Sequence, residues 1–339
     1  MSSAADSRVE PGRGRLGVIG LGSMGMGIAR ALLAAGFDVV GFDTNQLALE
    51  KFRESGGRIG ASPAEVAEGA RAVLSVVKNG AQTQDVLFGR DGCAARMATG
   101  SVFISMATIA PRQAVDFAGR LGGHGVDYLD APISGGAVMA AQGRLSVMAS
   151  GAPEVFERMS DVLDAVSENL FRLGDAAGQG STFKVVNQLL AGVHIAVAAE
   201  AMAFAAGMGL DLEEVYRVIT NSAGTSWMFQ NRMRRVVDKD YAARSSTDIF
   251  VKDLGIVLDV AREEKLPVPL TAAALQMFLM TSANGMGSDD DSSVARLYAR
   301  IAGAPGIETE EQRAAGLRPV SEGWRETRPG DAAVSGSGR

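Results

Sequence analysis

The sequence predicts an α/β protein in two parts: an N-terminal doubly wound sheet of parallel strands, followed by an all-α C-terminal domain. Three observations carry that prediction. Short apolar runs alternate with helical periods up to about residue 176, the pattern of a sheet covered on both faces. A glycine-rich turn, GLGSMG at 20–25, sits between the first apolar run and the first helix. From 177 onward the strand signals stop and helical runs take over. At 339 residues the chain exceeds one typical domain. The expected organisation is a flexible tail (1–13), an α/β domain (14–176), a helical domain (177–302) and a loosely attached tail (303–339). The last stretch is rich in Gly, Pro, Glu and Arg and has no sustained apolar period.

In chain order, Arg15–Ile19 is a strand and Gly20, Leu21, Gly22, Ser23, Met24 and Gly25 form the turn. Residues 27–35 have helical apolar spacing and stop at Gly36, a natural C-terminal cap. A second strand, Asp38–Phe42, ends in Asp43. Strand, glycine turn, helix, strand and acid in this order suit a dinucleotide: the glycines let backbone amides approach a pyrophosphate at the helix N-terminus. Asp43 follows the first glycine at about the 20-residue spacing at which a carboxylate accepts hydrogen bonds from a ribose. An acid there repels a 2′-phosphate and favours NAD over NADP. The alternative for Asp43 is a cap on a helix over 44–54.

Residues 72–77 form the next strand, placing Val77, Lys78 and Asn79 at its C-terminal end, where open α/β sheets bind ligands. Another strand, 101–105, leads to Thr108, which reads as a cofactor-side hydroxyl or as a cap before Pro111. A strand at 126–129 opens into DAPISGG. Ser134, Gly135 and Gly136 present consecutive N–H groups suited to a carboxylate, or make a plain turn. Two more strands are expected at 145–150 and 170–173, with a helix over 153–166 between them.

Residues 178–209 begin the helical part with a helix expected to be buried nearly all round. Lys184 stands in its first turns, with Asn187 and Gln188 three and four positions on. Read alone, Lys184 is either a snorkelling cation or an ammonium facing a cleft. His194, two turns further, is a core histidine or a substrate contact. The uncharged stretch ends before Glu200 and falls short of the roughly 20 residues a bilayer needs, so no membrane partner is expected. Helices follow to about 220, over 222–235, 241–260 and 271–282, and to Ile301. Asp289, Asp290 and Asp291 are expected as first-turn charge on the last of these.

Composition narrows the function classes. A net charge of -6 without a basic stripe argues against nucleic acid. Cys93 is the only cysteine, so no internal disulfide can form and a reducing, cytoplasmic setting is expected. One Cys with two histidines gives no zinc spacing, and no metal is expected.

With GLGSMG, DAPISGG and the downstream QGRLSVMASG, GQGSTFKVVNQ (178–188) and VKDLG (251–255) in this order, the chain resembles the β-hydroxyacid dehydrogenase family. The resemblance spans about 15–301 and implies a Rossmann-like first domain and NAD-dependent oxidation of a short hydroxy acid. It implies Lys184 as catalytic base, the Ser134, Gly135 and Gly136 loop as holder of the substrate carboxylate, and Thr108 and Lys252 as cofactor contacts. The resemblance places a substrate-contacting asparagine four residues after the lysine. Here that position is Gln188, beside Asn187, so either amide could serve. A homodimer or homotetramer is implied as well.

Overall fold

The computed structural model describes residues 13–314. Residues 1–12 and 315–339, and with them most of both expected tails, lie outside the described residues. The chain divides into two compact units after Asn187.

In the first unit, β1 (Arg15–Ile19), β2 (Asp38–Phe42), β3 (Arg58–Ile59), β4 (Ala70–Ser75), β5 (Val102–Ser105) and β6 (Asp127–Asp130) form a parallel sheet in the order β3-β2-β1-β4-β5-β6. Helices α1 (Ser23–Ala34), α2 (Gln46–Glu54), α3 (Pro63–Ala67), α4 (Gly80–Phe88) and α5 (Pro111–Gly122) connect them. Side chains alternate between two cores, as the period of a strand requires. Leu16, Val18, Leu74, Val102 and Ile104 enter one apolar cluster, while Ile19, Val73 and Phe103 enter the other. Phe103 is fully buried and stacks on Tyr128 at 6.0 Å between ring centres; truncating such a side chain costs about 3–5 kcal/mol. Strand order reverses between β1 and β4, so the crevice of an open α/β sheet lies at their C-terminal ends.

The strands expected at 145–150 and 170–173 form, but not in that sheet. A second sheet contains β7 (Ile133–Ser134), β8 (Leu145–Ala149) and β9 (Ser167–Arg172), with β7 antiparallel to β8 and β8 parallel to β9. Around it run α6 (Gly136–Ala141), α7 (Pro153–Arg158) and α8 (Ser160–Val166). β9 starts earlier than its apolar residues suggest, because Glu168, Asn169, Phe171 and Arg172 are exposed and the strand is not buried on both faces.

Helix α9 (Gln179–Gly207) runs unbroken for 29 residues across the division between the units. The expectation of burial all round does not hold. Lys184, Gln188, Ile195, Ala199 and Met202 lie on a buried face. Phe183, Val186, Leu190, Val197 and Phe204, spaced by three, four and seven residues, form an exposed apolar stripe. Its bounds lie within the expected 178–209. By length and a mean hydropathy of 1.8 it could cross a bilayer, yet half of that apolar window is buried in protein, as in a core helix.

The second unit packs α10 (Leu212–Thr220), α11 (Trp227–Asp238), α12 (Thr247–Glu263), α13 (Pro269–Thr281), α14 (Val294–Ala302) and α15 (Glu310–Ala314). Phe250 stacks on Phe278 with ring centres 5.2 Å apart, beside the buried Leu254 and Val257. Asp211 caps α10, accepting the Glu214 N–H at 2.9 Å. The acidic triplet is not a solvated first turn. Asp290 and Asp291 are fully buried, and a buried charge requires a partner. Arg232 donates twice to Asp291, at 2.6 and 2.9 Å, Arg235 pairs with Asp290 at 2.5 Å and Arg296 with Asp289 at 2.8 Å. The start of the expected C-terminal tail is likewise packed. Ile307 is fully buried, Tyr241 donates its hydroxyl to the Ile307 carbonyl, and Glu308 pairs with Arg296 and Arg300.

Candidate active site

The glycine turn is built by close approach. Gly20 has φ +92°, and a Cβ there would lie 2.7 Å from the Val76 carbonyl oxygen just past β4. At Gly25 a Cβ would lie 1.8 Å from the Gly20 oxygen, so α1 starts hard against the turn. Its N-cap is Gly22, which supplies no capping side chain. The first-turn amides and the positive end of the helix dipole are therefore suited to an anion. Asp43 sits at the neighbouring strand end. Its Oδ2 accepts the Leu21 N–H at 2.6 Å and its Oδ1 accepts the Asn45 N–H at 2.8 Å. The cap of α2 is Asn45 rather than Asp43, so the acid staples the turn to the end of β2.

On the other side of the reversal, Val77 flanks Gly20, and its methyl would be 3.3 Å from a Cβ there. Lys78 is exposed and its N–H donates to Gln82 Oε1 at 2.9 Å. Asn79 caps α4, its side chain accepting the Gln82 N–H at 2.8 Å. Thr108 lies half-buried after β5 but does not cap α5. That cap is Ala110, with Pro111 following. A dinucleotide fits this edge: a turn closed to side chains, an uncapped helix start and a carboxylate one strand away.

The second loop leaves β6 at Asp130. Gly135 (φ +133°) and Gly136 (φ +77°) occupy backbone conformations that favour glycine. Ser134 pairs in register with Ser146 of β8. The same strand ends seat α9, because Gly180 approaches the Met148 and Asp130 carbonyls too closely for any side chain, its Cβ falling at 2.4 and 2.7 Å. Asp130 is fully buried. Its Oδ2 accepts the Gly178 and Ser181 N–H groups at 3.0 and 2.8 Å, and its Oδ1 accepts the Ser181 hydroxyl at 2.7 Å. Burial pushes the Asp130 carboxyl above the ordinary carboxylate range, against the pull of those donors.

One turn beyond Ser181 stands Lys184, 6% exposed on the buried face of α9. At that burial it is not a lysine snorkelling to open solvent. The first unit thus contains the glycine turn, Asp43, Val77, Lys78, Asn79, Thr108, the loop of Ser134, Gly135 and Gly136, Lys184 and Asn187. In the second unit, Gln188 and Lys252 converge on one buried acid. Gln188 Nε2 donates to Asp253 Oδ2 at 2.5 Å, and the Lys252 ammonium lies 2.6 Å from Asp253 Oδ1. His194 lines a groove of about 670 Å³ in the second unit with Val197, Leu210, Val218 and Phe229. Asp130, Ser150, Ser181 and Asp253 carry no role in a reading of the sequence alone. The available signals were an acid opening DAPISGG, a serine one turn before Lys184 and an acid next to Lys252.

Two family models divide the chain much as its two units do. The NAD-binding domain of 6-phosphogluconate dehydrogenase matches residues 15–174. The NAD-binding domain of NADP-dependent 3-hydroxyisobutyrate dehydrogenase matches 178–298. The chain is 50% identical over 293 residues to L-threonate dehydrogenase of Cupriavidus necator, covering 86% of this chain and 97% of that protein. It is 29% identical to mitochondrial 3-hydroxyisobutyrate dehydrogenase of Rattus norvegicus, covering 86% and 89%. A crystal structure titled 3-hydroxyisobutyrate dehydrogenase from Salmonella typhimurium is 48% identical, with a TM-score of 0.79, over 84% of this chain and 99% of that one. From its NAD-binding first unit to its helical second unit, the chain belongs to the β-hydroxyacid dehydrogenase family.

Proposed function

We propose that this protein oxidises a short polyhydroxy acid, L-threonate, to the corresponding 2-oxo acid with NAD as acceptor and Lys184 as general base. The observation that carries the reading is Lys184 itself. It is a buried lysine one turn beyond an anchored helix start, and that anchor is the strand end from which the Ser134, Gly135 and Gly136 loop departs. The half-identical L-threonate dehydrogenase supports the substrate.

The glycine turn, the start of α1 and Asp43 would hold the dinucleotide, with Thr108 and Lys252 as further contacts. Bound nicotinamide supplies the hydride acceptor. Asp43 favours NAD, because its carboxylate would repel a 2′-phosphate. The chain's own residues do the rest. Backbone N–H groups at Ser134, Gly135 and Gly136 hold the substrate carboxylate, fixing which carbon faces the cofactor. A hydride cannot leave an alcohol carbon that keeps its hydroxyl proton, so a base must reach that oxygen. Neutral Lys184 takes the proton. In the reducing direction its ammonium returns the proton. Asn187, three residues after Lys184 and so on its side of α9, orients the hydroxyl.

The exposed apolar stripe of α9 supports a homodimer or homotetramer in which a second copy covers it, and Cys93 as the sequence's only cysteine supports a cytoplasmic setting. Light scattering during size exclusion tests the assembly, and a monodisperse monomer would contradict it.

A second substrate reading, 3-hydroxyisobutyrate, is favoured by the name of the Salmonella structure. The deciding experiment is NAD- and NADP-dependent turnover of L-threonate, D-threonate, erythronate, D-glycerate and 3-hydroxyisobutyrate, with tartronate semialdehyde in the reducing direction. L-threonate with NAD is expected to give the highest kcat/KM. Preference for 3-hydroxyisobutyrate over every sugar acid would overturn the substrate. NAD binding without turnover on any of them would make the protein a non-catalytic relative.

A further inference from the structure

We propose that Asp130 is a positioning residue: with Ser150, its carboxylate clamps the first turn of α9 and thereby sets where Lys184 stands relative to the loop of Ser134, Gly135 and Gly136. The inference deepens the reading of Lys184 as base and rests on it.

The clamp has four bonds, all within the first unit. Asp130 receives the Gly178 N–H, the Ser181 N–H and the Ser181 hydroxyl, and Ser150 Oγ receives the Gly180 N–H at 2.9 Å. The two acceptors are themselves locked together. Asp130 N–H donates to the Ser150 carbonyl at 3.0 Å and Ser150 N–H to the Asp130 carbonyl at 2.8 Å. Asp130, Ser150 and Ser181 are all fully buried. The helix start therefore cannot exchange these partners for water. Three of the four otherwise orphaned donors at a helix N-terminus are consumed here, and the carboxylate lies at the positive end of the helix dipole.

The register follows from spacing. Lys184 is three residues after Ser181 and so lies on the same side of α9. Ser134 is four residues after Asp130, on the segment that leaves the same strand end. A rotation or slide of the first helical turn would move the lysine but not the loop. One buried carboxylate prevents both motions, since it grips two residues of that turn through two different oxygens. The glycines fit the same purpose: Gly180 must be bare to seat against the Met148 and Asp130 carbonyls, and Gly178 turns into the helix at φ +106°. Three sequence motifs thus meet at one point: DAPISGG supplies the carboxylate, QGRLSVMASG the serine and GQGSTFK the clamped turn.

The test compares Asp130→Ala, Asp130→Asn, Ser181→Ala and Lys184→Ala in the full-length protein. Each is measured for kcat, KM for the hydroxy acid, Kd for NAD, Tm and the pH profile of kcat. Asparagine can still accept both N–H groups at its oxygen and donate to Ser181 Oγ, so it conserves the geometry without the charge. The expected pattern is a kcat loss of about 10²-fold for Asp130→Ala, with NAD binding within twofold of wild type. Asp130→Asn recovers at least tenfold of that loss. Ser181→Ala, which keeps both N–H bonds and tests the clamp should Asp130→Ala fail to fold, lowers kcat several-fold and displaces the pH limb. A fall in Tm with kcat and pH limb unchanged in Asp130→Ala and Ser181→Ala would overturn the proposal, leaving the clamp merely structural. Near-normal turnover of Lys184→Ala would instead remove the base reading on which it rests, so the two failures are told apart.

Discussion

Asp43 is the sharpest point at which loop geometry and cofactor choice can be separated, and Asp43→Asn separates them. The carboxylate accepts the Leu21 N–H at 2.6 Å with one oxygen and the Asn45 N–H at 2.8 Å with the other. Asparagine has one acceptor, so its amide nitrogen must face one of those N–H groups. Leaving a partly buried backbone donor unpaired costs about 1–3 kcal/mol. At about 2–4 °C per kcal/mol for a domain of this size, Tm falls by several degrees. The cofactor effect is separate. A hydrogen bond to a charged acceptor is worth about 1.5–3 kcal/mol, or about 10- to 150-fold in NAD affinity. NADP gains from the removal of repulsion what it loses in hydrogen bonding. The NAD-over-NADP ratio of kcat/KM is therefore expected to fall at least tenfold, measured by steady-state kinetics with both cofactors and titration calorimetry. A lowered Tm with an unchanged ratio would refute the reasoning, reducing Asp43 to a staple of the glycine turn.

Two further predictions concern the second amide and the C-terminal packing. Asn187→Ala is expected to lower kcat by about 10²-fold through lost orientation of the substrate hydroxyl, whereas Gln188→Ala raises KM for NAD by loosening Asp253 and Lys252; steady-state kinetics showing the reverse would exchange their roles. Glu308→Gln is expected to lower Tm at neutral pH, with the gap to wild type closing on acidification, followed by thermal melts from pH 7 to 3. Burial works against the Glu308 carboxylate, but Arg300 and Arg296 outweigh it and hold its pKa below the ordinary value. The folded state then binds fewer protons than the unfolded one, so the stabilisation is present above the ordinary carboxylate range and is lost as pH falls through it. A gap that widens in acid would contradict that sign.

Local chemistry made the first half of the site legible. The turn of Gly20, Gly22 and Gly25, the strand before it and Asp43 after it are read within about 30 residues, because backbone approach and spacing are properties of the segment itself. The run of strands was also legible, but not its division into two sheets, since apolar composition does not report which edge a strand joins. Lys184 stood out as a lone cation entering an apolar helix. What holds it did not, because Asp130 and Ser150 reach Ser181 and Gly180 only through the fold. The acidic triplet failed for the same reason: its arginines at 232 and 235 are remote in sequence, and a run of aspartates reads as solvated until a partner is seen. α9 shows the limit of composition most plainly, for an apolar residue looks the same whether its face meets the chain's own core, as at Ile195, or solvent, as at Phe204.

The central claim is that Lys184 accepts the substrate proton, and the pH dependence of kcat in Lys184→Ala tests it most directly. With NAD affinity held within twofold by calorimetry, kcat for L-threonate is expected to fall by about 10²–10⁴-fold, the range of general base catalysis. The limb by which wild-type activity declines on acidification is expected to disappear. Turnover near the wild-type rate, with that limb intact, would contradict the account.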